Sequence, residues 1–192
     1  MFFVIPFMLV YRGGYGSSTW EGLVPTPDKQ NTAINISMPT HVNEGGGVWG
    51  LFGGYELSTF FAIEASYMHY KDATVSFDED SLFAFDHEDR LEFTTKTSQT
   101  SVMAKVMLTV PGTSLRGYSS AGIAGVSRKD EINSRSRVSP TFGVGVNYNI
   151  NPRVMLELAG NYTAGYGESE LNPIRDYVPF LYSVFLRAAI RV

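Results

Sequence analysis

The sequence predicts an all-β protein, an eight-stranded antiparallel up-and-down transmembrane β-barrel, and three observations lead there. Apolar residues alternate with small or polar ones at period two, in segments of about ten residues, the pattern of strands whose two faces meet different surroundings. The connections between segments alternate between short and long. The chain is 44% hydrophobic and 14% aromatic but only 18% charged, which leaves apolar side chains at positions that water would ordinarily face. No run approaches the roughly 18 to 20 consecutive apolar residues of a spanning helix, so a membrane role falls to strands or to surface attachment.

Taken in order, the first strand is expected around Val10 to Trp20. The apolar residues 1–9 read either as the remnant of a signal peptide or as the beginning of that strand; they lack a basic flank and a small-residue cleavage site. A long polar connection, residues 22–46, leads to a strand whose apolar face carries Trp49, Leu51, Gly53 and Tyr55. Residues 57–60 make a short turn into a strand with Ile63, Ala65 and Tyr67 opposite Glu64, Ser66 and Met68. After a second long connection, residues 72–94, Val102, Ala104, Val106 and Leu108 oppose Ser101, Met103, Lys105 and Thr109.

A tight turn at 110–114 precedes the glycine-rich stretch from Tyr118 to Val126, a strand whose facing the pattern does not fix. The third long connection, 128–137, is followed by Phe142, Val144, Val146 and Tyr148 opposite Thr141, Gly143, Gly145 and Asn147. Residues 149–153, with the turn pair Asn151-Pro152, lead to Leu156, Leu158, Gly160 and Tyr162 opposite Glu157, Ala159, Asn161 and Thr163. Past the fourth long connection, 165–176, Tyr182, Val184, Leu186, Ala188, Ile190 and Val192 alternate with Ser183, Phe185, Arg187, Ala189 and Arg191. Long connections on one rim and tight turns on the other are the habit of outer-membrane barrels, and closure removes the edges that hydrocarbon cannot satisfy. The aromatics Tyr11, Tyr15, Trp20, Trp49, Tyr55, Tyr67, Tyr148, Tyr162, Tyr177 and Tyr182 are expected as interface girdles.

Composition narrows the function. No linker divides the chain, so residues 1–192 are read as one domain. The absence of cysteine removes disulfides, thiolate metal sites and cysteine nucleophiles. A net charge of −4 with scattered basic residues offers no footprint for nucleic acid.

One stretch, Val138-Ser139-Pro140-Thr141-Phe142-Gly143-Val144-Gly145-Val146-Asn147-Tyr148, followed by Ile150-Asn151-Pro152 and the strand containing Leu158, resembles the sixth strand, turn and seventh strand of the transmembrane domain of the outer-membrane protein A family. Phe52-Gly53-Gly54-Tyr55-Glu56-Leu57 leading to Ile63-Glu64 resembles that family's second and third strands, and Ala104-Lys105 its fourth. The resemblance runs from about Gly47 to the end, loops apart, and implies a Gram-negative outer-membrane location. It also implies that Glu64 and Lys105 are among the family's interior ion-paired residues. The family's strand-five arginine would fall on Ser127 or Arg128, and a slip of one residue exchanges inside for outside, so that role is not carried over. Val192 stands where the family has a terminal aromatic. The peptidoglycan-binding domain of larger members has no counterpart here, so cell-wall anchoring is not expected.

Strand parity gathers Glu64, Lys105, Glu157, Arg187 and Arg191 as an interior polar network, because an isolated buried charge costs several kcal/mol. Eight strands leave an interior just wide enough for side chains to fill, which favours a plugged lumen over a pore. The acidic segments Asp78-Glu79-Asp80 and Asp86-His87-Glu88-Asp89 match no calcium-loop spacing and read as solvated loop. His41, His69 and His87 are tied to no serine and acid by any motif, and Gly13-Gly14 and Gly45-Gly46-Gly47 precede no helix and so are not phosphate loops. No catalytic residue, cofactor or metal is expected.

The expected function is therefore a structural, porin-like envelope barrel touching outer-membrane lipid and lipopolysaccharide, with a host or surface ligand met by the four long loops. The alternatives are a narrow ion or small-solute channel, a lipid-modifying enzyme, and a soluble barrel with the opposite polarity.

Overall fold

The computed structural model describes residues 7–20, 39–86, 88, 90–131, 134–165 and 178–190. Its strands are β1 (Phe7–Ser18), β2 (His41–Asn43), β3 (Gly46–Glu56), β4 (Phe61–His69), β5 (Ala73–Ser76), β6 (Glu92–Thr109), β7 (Leu115–Lys129), β8 (Ser134–Asn149), β9 (Val154–Thr163) and β10 (Leu181–Ile190), and among the described residues there is one short helix, α1 (Leu82–Asp86).

Eight of these strands close an antiparallel barrel in the order β1-β3-β4-β6-β7-β8-β9-β10, and β10 returns to β1 through pairs from Arg12–Arg187 to Ser18–Leu181. Closure gives each wall strand two partners, the condition for crossing hydrocarbon without an unpaired edge. Burial follows the pleat. On β10 every second residue from Leu181 to Ala189 is buried and every second one from Tyr182 to Ile190 is exposed. The exposed set all round the wall is apolar: Leu51, Ile63, Val102, Val106, Leu108, Ile123, Val144, Leu158, Val184 and Leu186 among others. That polarity, apolar outside and polar inside, is the reverse of a soluble ligand-binding barrel.

Three tight turns close one rim. Leu57 N–H donates to the Phe61 carbonyl at 2.9 Å, and Val110 N–H donates to the Leu115 carbonyl at 3.0 Å. Asn151 Oδ1 accepts from the amides of Arg153 and Val154, both at 2.8 Å, so the asparagine of the Asn-Pro pair supplies the turn. Gly122 permits a close approach between β6 and β7: a Cβ there would lie 2.0 Å from the Val102 carbonyl oxygen.

The structure differs from the sequence expectation at the first strand and along the other rim. The first strand starts at Phe7 and ends at Ser18 rather than spanning Val10 to Trp20, so residues 7–9 belong to it. The long polar connections at 22–46 and 72–94 contain structure: β2 pairs with β5, and β5 pairs with the first residues, Glu92 to Thr95, of the 18-residue β6. Residues 128–137 are mostly ladder, because β7 and β8 pair as far as Lys129–Ser134. Trp20 is no girdle aromatic. It is fully buried with Ala73, Val75, Phe77, Phe83 and Phe93 in a small hydrophobic cluster at the mouth. The remaining described members of the expected girdle are exposed, while Tyr177 and residues 166–177 lie outside the described residues.

Candidate functional site

Inward parity on four wall strands delivers Glu64 from β4, Lys105 from β6, Glu157 from β9 and Arg187 from β10 to one level of the lumen. Lys105 Nζ lies 2.8 Å from Glu64 Oε2 and 3.5 Å from Glu157 Oε2. Arg187 Nη2 lies 2.8 Å from Glu64 Oε2 and also meets Glu157 Oε1. Each carboxylate thus touches both cations, and the four formal charges sum to zero. The Tyr118 hydroxyl, from β7, donates to Glu157 Oε1. Arg187 lies over the Phe52 ring at 3.9 Å and Lys105 over the Tyr118 ring at 4.0 Å, so apolar rings of β3 and β7 close the sides of the quartet.

Arg191, expected in the same group, lies outside the described residues. Sequence parity did not single out Tyr118, Arg116 or Arg12. Arg116 donates to Glu56 Oε1 at 2.9 Å and to Asn147 Oδ1 at 3.1 Å on the turn side of the quartet. On the other side Arg12 donates to Ser66 Oγ at 2.9 Å, and Ser66 and Ser101 hydroxyls are 2.8 Å apart. Of the two candidates for the strand-five arginine, Ser127 is on the outer face and Arg128 is inside. Arg128 is fully buried, 2.5 Å from Asp130 Oδ2 and 4.4 Å above the Trp20 ring.

The quartet fills the bore. The free space lined by Glu56, Glu64, Lys105, Asn147, Glu157 and Arg187 amounts to about 20 Å³, room for about one water. Side chains rather than a channel occupy this level, as the diameter of an eight-stranded wall dictates.

At the mouth, the short antiparallel ladder of β2 and β5 and the helix α1 fold over the Trp20 cluster, where Phe77 stacks on Phe83 at 4.3 Å. Trp20 N–H donates to Glu44 at 2.5 Å, and Arg90 pairs with Glu131 across the gap between connections. The outer surface of this cap carries Phe85, 85% exposed, and Leu82, 48% exposed, beside exposed Asp78, Glu79 and Asp80. Among the described residues no group of three or more histidines and carboxylates has metal-binding geometry. His41 lies on β2, while His69 ends β4 against Trp49, with Nε2 3.9 Å from Asp72. His87 and Asp89 lie outside the described residues.

Residues 9–174 match the family model described as outer membrane protein beta-barrel domain. The chain belongs to this family. It is an integral barrel of the outer membrane, and its solved structural neighbours have the same architecture. The N-terminal β-barrel domain of OprF from Pseudomonas aeruginosa is 15% identical over 96% of this chain and 97% of that one, with a TM-score of 0.52. Neisserial surface protein A is 11% identical, covers 97% of each chain and gives a TM-score of 0.56. OprG from Pseudomonas aeruginosa is 12% identical over 97% of this outer-membrane barrel and 94% of its own chain, with a TM-score of 0.53. At these identities the likeness is one of fold. No protein of curated function matches the sequence.

Proposed function

We propose that this outer-membrane barrel is a non-catalytic surface-contact protein: the wall anchors it and contributes to envelope integrity, and the extracellular connections 22–46, 72–94, 128–137 and 165–176 meet a host or environmental surface. The observation that carries this reading is the cap. A chain needing only to join two strands has no reason to order a two-stranded ladder and a helix around a private cluster of Trp20, Phe77, Phe83 and Phe93, whereas a contact surface must be rigid. Phe85 and Leu82 stand on its outside with no described neighbour to cover them. An exposed aromatic beside a second apolar residue is the composition of a contact centre.

The interior quartet supports a structural lumen in the same reading, and Glu64, Lys105, Glu157 and Arg187 act there as ties between wall strands. The test displays the full chain on a Gram-negative host and compares adherence to a panel of host-cell and abiotic surfaces with a Leu82→Ser/Phe85→Ser variant. Adherence above that of cells without the barrel, reduced in the variant while both migrate as folded barrels on unheated gels, is the expected result. Equal adherence of all three strains, together with sustained conductance of the wild type in planar bilayers, would replace this reading with the narrow channel.

A further inference from the structure

The outer wall of β6, β7 and β8 changes character row by row towards the cap. Register places Val102, Ile123 and Pro140 side by side, then Thr100, Gly125 and Val138. Val102, Ile123 and Val138 are 51%, 62% and 70% exposed, the top of the lipid-facing band. The next row is three serines, Ser98, Ser127 and Ser136, with the Ser136 and Ser127 hydroxyls 3.2 Å apart. The row above pairs Lys96 directly with Lys129, beside Ser134, all three exposed.

Like charges directly opposite on neighbouring strands repel and destabilise a sheet. Among the described residues neither ammonium has an ion-pair partner. The nearby carboxylates are otherwise directed: Asp130 to Arg128, Glu131 to Arg90, and Asp72 towards His69. Glu92 shares the outer parity of β6 but stands four residues further along, about 13 Å away at strand spacing. The lysines also lie four residues beyond Thr100, the register partner of the girdle residue Tyr67. At a strand tilt of about 40° that is ~10 Å above the aromatic level, and the long lysine stems reach back towards the headgroups.

We propose that Lys96 and Lys129, above the serine row, form a docking site on the outer wall for the phosphate groups of an outer-leaflet lipid, whose acyl chains lie along the Val102–Ile123 band. The two ammonium groups need an anion, the serine hydroxyls supply further donors to its oxygens, and the adjoining apolar band selects a phosphate attached to acyl chains. The site depends on the membrane placement of the barrel and not on the contact role of its cap.

The experiment folds the full chain in neutral detergent and titrates it with bisphosphorylated lipid A, with the same lipid dephosphorylated, and with inorganic phosphate. Saturable binding of the first is expected, weakened about 30-fold in Lys96→Gln/Lys129→Gln at ~1 kcal/mol per lysine, retained in Lys96→Arg/Lys129→Arg, and diminished by salt. Unheated gel migration checks that each variant is folded, and in the absence of lipid the glutamine variant unfolds no more easily than the wild type. Equal binding by the glutamine variant, or equal binding of dephosphorylated lipid, overturns the proposal. Inorganic phosphate competing as effectively as the lipid overturns the assignment to a lipid.

Discussion

The interior of this barrel is decided at single residues, because each buried charge depends on the others. Glu157 illustrates it: one carboxylate accepts from Arg187, Lys105 and Tyr118. Glu157→Ala leaves two cations sharing Glu64, and removing one partner of a buried ion pair costs about 3–5 kcal/mol. Urea unfolding in lipid vesicles, followed by gel migration, should record that loss. Replacing both Glu157 and Arg187 by leucine should recover much of it, since Lys105 and Glu64 still pair with each other; strictly additive losses would contradict a shared cluster. Parity alone placed Glu64, Lys105, Glu157 and Arg187 on inner faces, because each lies in a segment whose other face is strongly apolar. It was silent on Tyr118 and Arg128, where β7 offers glycine, serine and alanine on both sides and neither face declares itself. Arg12 was equally obscure, being followed by Gly13 and Gly14.

Among the elements, the cap is the most separable. Its cluster draws on Trp20, β5, α1 and the start of β6, and Arg128 from β7 stacks over the Trp20 ring. Trp20→Ala should cost the cap about 3–5 kcal/mol, the usual loss for a large core aromatic. Limited proteolysis should then cut within residues 78–91 at protease levels the wild type withstands, while the barrel below keeps its folded migration. Loss of the barrel itself would show that cap and wall are one cooperative unit. Long wall strands were legible because ten alternating residues repeat their message several times. The strands β2 and β5, of 3 and 4 residues, are too short to show a period. The upper part of the β7–β8 hairpin stands clear of hydrocarbon, so its outer face is polar and imitates a loop. Trp20 was misassigned for a related reason: an aromatic at a strand end looks the same whether it turns out to lipid or in under a lid.

At the scale of the whole molecule, two solvents set the stability. Leu158, 54% exposed near the middle of β9, faces hydrocarbon, while its neighbour Glu157 faces the quartet. Leu158→Arg should destabilise the barrel in lipid vesicles by about 2–4 kcal/mol, the cost of a cation near mid-membrane. Moving the same arginine to Tyr162, at the end of the strand, should cost ~1 kcal/mol or less. Equal penalties at both positions would mean that the apolar wall is not immersed as its polarity indicates.

The quartet's four residues also divide by strand pair, and this bears on how the chain is assembled. Glu157 stands directly opposite Arg187 across β9 and β10, and Glu64 and Lys105 lie one diagonal step apart across β4 and β6. Each pair of neighbouring strands therefore carries its own neutralising partner before the two halves of the wall have met. Closure waits for the final strand to reach the first, since β1 pairs with β10. During that interval each ion pair is already self-compensated, and joining the seam sets Arg12 of β1 opposite Arg187 as it merges the two pairs into one.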